Sequence, residues 1–433
     1  MREILDLLID DFHERALPEL LPRERTMSWQ VGKANVVIGM RRSGKTWFCY
    51  QKMKDLIAKG LDKERILYFN FEDERLLPFS TADFQLILET YYRKYPAFKE
   101  KRCYLFLDEV QRIEGWDKYV RRLLDAEDLH ICITGSSSKL LSTEIATSLR
   151  GRSLTTEIFP FSFREYAEYR DVQLGEAPKY GSKLRAVLQN HLGEYLRIGG
   201  FPEVQRYDDE LRRQVLMNYV DVVILRDVVE RHRVSNVGAL RALIKHVMSA
   251  PATRFSVNKF YNTLRSQGLT CTKNDLYDFM DYLTDAFLIY KIPIYARSER
   301  VRRVNPQKAY AVDTGLLEAM SSSMTEDRGA ILENLVYMHL RSQGASPDYY
   351  VTKEGAEVDF AVMDVKKRRR LIQVCWDIND VETRRRELSA LSMAMKELDV
   401  KRGTIVTWLD EGEEGEGIEI VPAWKWLLQP EFN

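Results

Sequence analysis

The chain has 433 residues, enough for two or three domains that each bury a core of their own. Lys+Arg and Asp+Glu both number 65, so no global basic field exists to draw in nucleic acid or an anionic membrane. No apolar run reaches the ~18 residues of a membrane helix. The five cysteines (Cys49, Cys103, Cys132, Cys271, Cys375) contain no C-x-x-C pair and read as buried thiols of a reducing compartment.

In chain order, the first stretch, MREILDLLIDDFHERALPELL, predicts an acidic amphipathic helix unlike a signal peptide, so a cytoplasmic location without a membrane partner is expected. Ala34–Ile38 reads as a strand and Trp47–Leu56 as a helix. Between them Gly39–Thr46 spells G-M-R-R-S-G-K-T, a phosphate-binding loop. Its glycines let successive backbone N–H groups and the helix N-terminus wrap a phosphate chain. Lys45 can then reach the β- and γ-phosphates, and the Thr46 hydroxyl can ligate Mg²⁺. The expected cradle is Gly39, Met40, Arg41, Arg42, Ser43, Gly44, Lys45, Thr46 and Trp47.

Four more strand-like runs follow, Ile66–Phe71, Tyr104–Leu107, His130–Thr134 and Leu154–Phe159, each separated by helix-like sequence. That alternation predicts a parallel sheet with helices on both faces, its ligand beyond the strand carboxyl ends. Asp108 ends the third strand, placed to hold Mg²⁺ with Thr46. Glu109 is the candidate base for the attacking water. Thr134, with Ser136 as second choice, ends the fourth strand beside the terminal phosphate. Asn70 ends the second strand and is a candidate to hold Glu109 in an inactive rotamer.

From Asp171 to His232 the pattern is helical, broken by a tight turn at Gly199-Gly200-Phe201-Pro202. Gly238–Leu317 then reads as three helices and two strands, the order of a winged helix. Thr272 and Asp275 form a capping box, and Leu276, Phe279, Met280 and Leu283 mark a core face. The third helix exposes Asp275, Asp278, Asp281 and Asp285, and acids repel DNA phosphates. Arg297, Arg300, Arg302 and Arg303 look like a basic wing tip that offers a phosphate contact or simply a solvated loop. Asp410–Glu419 reads as an exposed turn.

These motifs resemble the AAA-family ATPases of archaea and bacteria that carry a C-terminal domain of unknown function. The resemblance rests on the phosphate loop, D-E-V-Q, T-G-S-S-S-K-L-L, L-R-G-R, F-P-F-S-F-R-E-Y, G-G-F-P-E-V (Gly199–Val204), R-D-V (Arg226–Val228) and E-V-D-F (Glu357–Phe360), from about residue 17 to the end. It implies ATP as the nucleotide and a sheet in the order 5-1-4-3-2. It also implies that Arg150 or Arg152 reaches the γ-phosphate, in such ATPases often that of a neighbouring subunit, and hence a homo-oligomer.

The end of the chain resembles a restriction-endonuclease-like domain, in which two acids and a (D/E)-x-K pair serve Mg²⁺ and water. Glu333 and Asp359 match the acids, but Gln373 and Cys375 stand where the second-strand acid and the lysine belong. Nuclease activity is therefore not expected. Lys366-Lys367-Arg368-Arg369-Arg370 reads as a charged hairpin tip able to lend a migrated cation or a DNA contact.

The expected architecture is α/β: an AAA-type P-loop domain (1–170), a helical linker or lid (171–235), a winged helix (236–318) and an inactive nuclease-like domain (319–433). The expected function is a Mg²⁺- and ATP-dependent conformational switch acting on a protein partner or DNA. An ATP-regulated nuclease and a slow nucleotide-binding scaffold are the alternatives.

Overall fold

The computed structural model describes residues 1–135, 149, 151–174, 180–321, 327–364, 367–415 and 417–429. The expectations placed on Ser136, Arg150 and Lys366 lie outside the described residues. The chain divides into two compact units, Met1–Phe159 and Pro160–Asn433.

In the first unit, Ala34–Ile38 (β1), Ile66–Asn70 (β2), Cys103–Asp108 (β3), Leu129–Gly135 (β4) and Ser153–Glu157 (β5) form one sheet in the order β2-β3-β4-β1-β5. All neighbouring strands pair parallel. This is the expected order, read from the other edge. Every residue of β1 and β4 is buried, as near-continuous apolar strands of a parallel sheet require. Side chains alternate between faces along a strand. The register pairs Tyr68 with Phe106 and Phe106 with Cys132, so these lie on one face together with Val37 and its partner Thr134. Asp108, two residues beyond Phe106, shares that face. Helices Arg2–Glu14 and Lys45–Ala58 bring Phe12, Phe48, Cys49, Met53 and Leu56 into the core cluster of Val37, Phe106 and Cys132. The sheet thus aims Tyr68, Asp108 and Thr134 toward the helix that begins at Lys45.

The second unit opens with helices Phe163–Tyr169, Ser182–Ile198 and Asp209–Val222, the last continuing as a π-helical stretch, Val223–Glu230. The expected turn at Gly199 is present, with φ 72°. Asp313, far along the chain, closes it: its carboxylate accepts the Gly200 N–H at 2.7 Å and the Leu316 N–H at 3.3 Å. A Cβ on Gly199 would stand 2.0 Å from Asp313 Oδ1, one on Gly200 2.3 Å from Phe161 O, and one on Gly315 2.3 Å from Ile198 O. Burial pushes the Asp313 carboxyl up to about 6, against the pull of those backbone N–H groups.

Helix Val237–Ser249, the two-residue strand Arg254–Phe255 (β6), helices Val257–Ser266 and Lys273–Asp285, Ile289–Ile292 (β7) and Gln307–Ala311 (β8) come next. The strands form an antiparallel sheet in the order β6-β8-β7. The Thr272–Asp275 capping box forms, and Leu276, Phe279, Met280 and Leu283 are buried. The basic wing tip differs from expectation. Glu299–Val304 is a short helix, and Arg302 makes a bidentate pair with Asp348 at 2.6 and 3.0 Å. Arg297, Arg300 and Arg303 are exposed.

After helix Arg328–Ser342 come Asp348–Val351 (β9), Glu357–Met363 (β10), Arg369–Cys375 (β11), helix Val381–Leu398, Gly403–Thr407 (β12), Gly412–Glu414 (β13) and Ile418–Pro422 (β14). They form a sheet in the order β13-β14-β12-β11-β10-β9. The segment expected to be only a turn, Asp410–Glu419, contributes β13 and the start of β14, because its Glu413 and Glu414 pair across to Glu419 and Ile418. The register of β10 against β9 slips between Val358 and Ala361, a bulge of the kind that re-aims a side chain, here beside Asp359.

Candidate nucleotide site

The loop between β1 and helix Lys45–Ala58 carries three left-handed or glycine-only conformations: φ 139° at Gly39, 66° at Arg42 and 99° at Gly44. Gly39 admits no side chain, since a Cβ there would stand 2.1 Å from Ile158 O. Met40 and Ser43 are buried and Lys45 is 6% exposed. The Lys45 ammonium donates to Gly39 O at 3.2 Å and Met40 O at 3.1 Å, so its charge sits within the loop that should hold phosphates. Arg41 lies 3.7 Å from Glu72, which Arg112 also approaches at 3.6 Å. Trp47 is half exposed on the first turn of the helix, its ring edge-on to Tyr50.

Asp108 is 2% exposed and is the hub of the site. Its Oδ2 accepts from Thr46 Oγ1 at 2.8 Å and from the Tyr68 hydroxyl at 2.9 Å, and its Oδ1 from Thr134 Oγ1. Burial raises its pKa above the ordinary value; the Thr134 hydrogen bond opposes this and the Glu109 charge reinforces it. Thr134 Oγ1 also accepts the Glu109 backbone N–H at 3.0 Å. The donor set of one carboxylate and one hydroxyl, Asp108 and Thr46, already within contact, suits a small hard cation such as Mg²⁺.

Glu109 has φ 54° and its carboxylate accepts from Gln111 Nε2 at 2.5 Å. The partner expected there, Asn70, instead accepts the Glu72 N–H at 2.9 Å. A side chain two residues away in a tight turn reaches Glu109 more readily than one on the neighbouring strand, a turn geometry that sequence pattern does not reveal.

Arg23 went unnoticed in the sequence because it sits in an irregular segment with no motif. Its guanidinium donates to Ser43 O at 3.0 Å and Phe159 O at 2.7 Å, strapping the phosphate loop to the end of the sheet edge. Gln51 ties the Arg23 backbone to helix Lys45–Ala58 on both its N–H and C=O.

Arg152 lies elsewhere. It immediately precedes β5, its carbonyl accepts the Ala34 N–H at 2.8 Å, and its guanidinium pairs with Asp125 at the surface. Because β1 and β5 are parallel, Arg152 stands at the amino edge of the sheet, whereas the phosphate loop stands at the carboxyl edge. A five-residue strand at ~3.3 Å per residue separates those edges by roughly 16 Å.

In the second unit, Glu333 and Asp359 do come together, with Glu357, around a cation that sequence pattern alone did not point to. Lys308 Nζ, from β8, lies 2.8 Å from Glu333, 2.6 Å from Glu357 and 3.0 Å from Asp359. Burial works against the ammonium's charge, but Asp359, Glu333 and Glu357 outweigh it and hold its pKa above the usual value. Burial and Asp359 push Glu333 up to about 8, and Tyr310 donates to the same Glu333 oxygen as Lys308. Charge counting supports a neutral Glu333. Arg254 also pairs with Glu357, so the two cations match Glu357 and Asp359 alone.

Of the charged hairpin tip, Arg368 and Arg370 pair instead with the buried Asp364. Gln373 accepts the Asp359 N–H at 3.2 Å and donates to Glu387 at 2.7 Å. Burial pushes the Cys375 thiol up to about 11, which favours the neutral thiol at pH 7, and a thiol in either form cannot stand in for the lysine's positive charge. Among the described residues no group of three or more His, Cys, Asp or Glu is arranged to hold a metal ion, and no helix is long and apolar enough to cross a membrane.

The first unit thus has a P-loop NTPase-like α/β fold, and comparison with known protein families agrees on that class. A family model described as an AAA domain matches residues 31–167. Two models described as domains of unknown function, DUF8612 and DUF4143, match residues 189–327 and 328–426. The uncharacterized protein MJ1544 of Methanocaldococcus jannaschii is 35% identical over 436 residues, 98% of this chain and 94% of that one. An uncharacterized protein of Haemophilus influenzae is 31% identical over 397 residues, 91% and 94% of the two chains. The chain belongs to this family of AAA-domain proteins bearing two C-terminal domains of unknown function. Among solved structures it is similar to the Walker-type ATPase paby2304 of Pyrococcus abyssi, with TM-score 0.41 and 14% identity over 74% of this chain and 95% of that one. It is also similar to AMPPCP-bound DnaA from Aquifex aeolicus, with TM-score 0.25 and 14% identity over 65% and 86%.

Proposed function

We propose that the first unit binds ATP with Mg²⁺ and hydrolyses it, and that the nucleotide state switches the conformation of the whole chain. The observation that carries this reading is the Thr46–Asp108 contact of 2.8 Å beside a buried Lys45. A cation, a hydroxyl and a carboxylate are thereby held together at one end of the sheet. Mg²⁺, held by Thr46 and Asp108, would neutralise phosphate charge. Lys45 would exchange its loop carbonyls for β- and γ-phosphate oxygens, and the loop N–H groups would bind the rest of the chain of phosphates. Glu109 would accept the proton of the attacking water, and Thr134 would hold Glu109 and Asp108 in register.

Arg152 stands at the opposite edge of the sheet from its own phosphate loop, which favours a role in trans on a second copy of the chain. In the second unit, the three helices, the short strand and the hairpin support a winged-helix reading. The acidic face of helix Lys273–Asp285 argues against its insertion into DNA, which leaves exposed Arg297, Arg300 and Arg303 as the residues to meet nucleic-acid phosphates. The six-stranded module supports a nuclease-like fold whose acids are occupied by Lys308, and a scaffolding role. Phosphate release and ATP binding, measured on the wild type, Lys45→Ala and Glu109→Gln, test the central claim. Lys45→Ala should lose tight binding, and Glu109→Gln should bind ATP but turn over ~10²-fold more slowly. Full turnover in both variants would defeat the assignment.

A further inference from the structure

Gln111, the last residue of D-E-V-Q, lies in the turn Val110–Arg112 directly after Glu109. Its amide donates to Glu109 Oε2 at 2.5 Å. The flipped amide would set two acceptor oxygens against each other, so the nitrogen must face the carboxylate. This fixes the other end: Gln111 Oε1 turns toward the end of β4, where a Cβ on Gly135 would stand 3.1 Å from it. That oxygen is buried and has no hydrogen-bond partner among the described residues. Buried acceptors are nearly always paired, and an unmatched one calls for an explanation in a ligand, an ion or a water. Thr134, one residue before Gly135, holds both the Glu109 N–H and the Asp108 carboxylate. The unmatched oxygen therefore lies where β3 and β4 end, beside the acids.

We propose that Gln111 positions the attacking water: its nitrogen fixes Glu109, and its oxygen receives one of the water's hydrogens. The inference rests on the ATPase reading above and assigns geometry within it. The other hydrogen faces the Glu109 oxygen not engaged by Gln111, which becomes the proton's destination. Two acceptors fixed to one another leave the water's lone pair aimed in a single direction, the orienting role that a glutamine can play in phosphoryl transfer. As the water oxygen bonds to the γ-phosphorus, the bond from that phosphorus to the β–γ bridging oxygen breaks. The electron pair leaves with ADP, and the water's proton passes to Glu109. Gln111 is a positioning residue; it exchanges no proton.

The test uses the full-length protein with Gln111→Leu, Glu109→Gln and the double variant, reading ATP affinity and single-turnover hydrolysis separately. Leu retains the bulk of the side chain and removes both the donor and the acceptor. Gln111→Leu should bind ATP within about twofold of the wild type while single-turnover hydrolysis falls by roughly 10- to 100-fold, up to the cost of misplacing a reacting atom by about 1 Å. The double variant should be no slower than Glu109→Gln alone, because two residues that orient one water act as a unit. Wild-type or faster hydrolysis in Gln111→Leu overturns the inference, as do losses that multiply in the double variant. Lost ATP binding in Gln111→Leu also overturns it, by showing a merely structural role. A wild type that neither binds ATP nor releases phosphate refutes the ATPase reading itself and takes the inference with it. Where the wild type does both, failure of the Gln111→Leu expectation counts against the water-positioning role alone.

Discussion

Replacing Lys308 by Met removes the ammonium and keeps the length of the side chain. Lys308 is 3% exposed at its side chain and its Nζ contacts Glu333, Glu357 and Asp359. Deleting one partner of a buried charge pair leaves the other uncompensated and costs about 3–5 kcal/mol. For a unit of this size each kcal/mol moves the midpoint by about 2–4 °C, so Tm should fall by roughly 6–20 °C. Thermal unfolding followed by circular dichroism at pH 7 reads this directly.

The pH dependence has a definite sign. Losing the ammonium removes a charge that favours ionised Glu333, so the folded state holds the Glu333 proton still more tightly than the unfolded chain does, and stability is lost as pH rises and regained as it falls. The deficit of Lys308→Met relative to the wild type should thus be smaller at pH 5 than at pH 8. Glu333 in the wild type obeys the same rule. Its carboxyl is pushed up to about 8 from an ordinary 4.5, so its contribution is fully present below 4.5 and lost as pH rises through 8. Adding Asp359→Asn should recover part of the loss in Lys308→Met. An unchanged Tm at pH 7, or a deficit that grows on acidification, would refute the claim that Lys308 is what compensates these acids.

Arg23→Leu should weaken ATP binding several-fold and lower the stability of the first unit by about 1.5–3 kcal/mol per lost charged hydrogen bond; calorimetric titration and thermal unfolding check both. If Arg152 acts in trans, turnover per subunit should rise with protein concentration, and mixing Arg152→Ala with Lys45→Ala should restore activity that neither has alone. Concentration-independent turnover by a monomer rules this out. The purified protein should leave plasmid and single-stranded DNA intact with Mg²⁺ or Mn²⁺, with and without ATP, and nicking that vanishes in Asp359→Ala would reverse the reading of the second unit.

The nucleotide site was legible wherever the backbone itself imposes residue identity. Gly39 cannot carry a Cβ beside Ile158 O, Gly44 caps a helix at positive φ, and Lys45 and Thr46 must follow at fixed spacing. The strand alternation that sets Asp108 and Thr134 on one face is likewise written in the apolar runs. Arg23, Tyr68 and Lys308 were not legible, because each acts through a partner that only folding brings near. Lys308 is the instructive case: K-A-Y-A carries no motif, and only β8 brings the ammonium to acids from a helix and from β10. Arg302 misled in the opposite way, since a basic cluster in sequence says nothing of Asp348 waiting on another element.

The junction of Gly199-Gly200 with Asp313-Thr314-Gly315 has a consequence for heredity. A turn with no room for a side chain, and the aspartate that closes it, are one device written in two places more than a hundred residues apart. Neither half can drift alone: a methyl group on Gly199 collides with Asp313, and a lost Asp313 leaves the buried Gly200 N–H without its acceptor. Lineages descending from this chain should keep both motifs or surrender both together. A mutation at one half should be rescued, if at all, from the other.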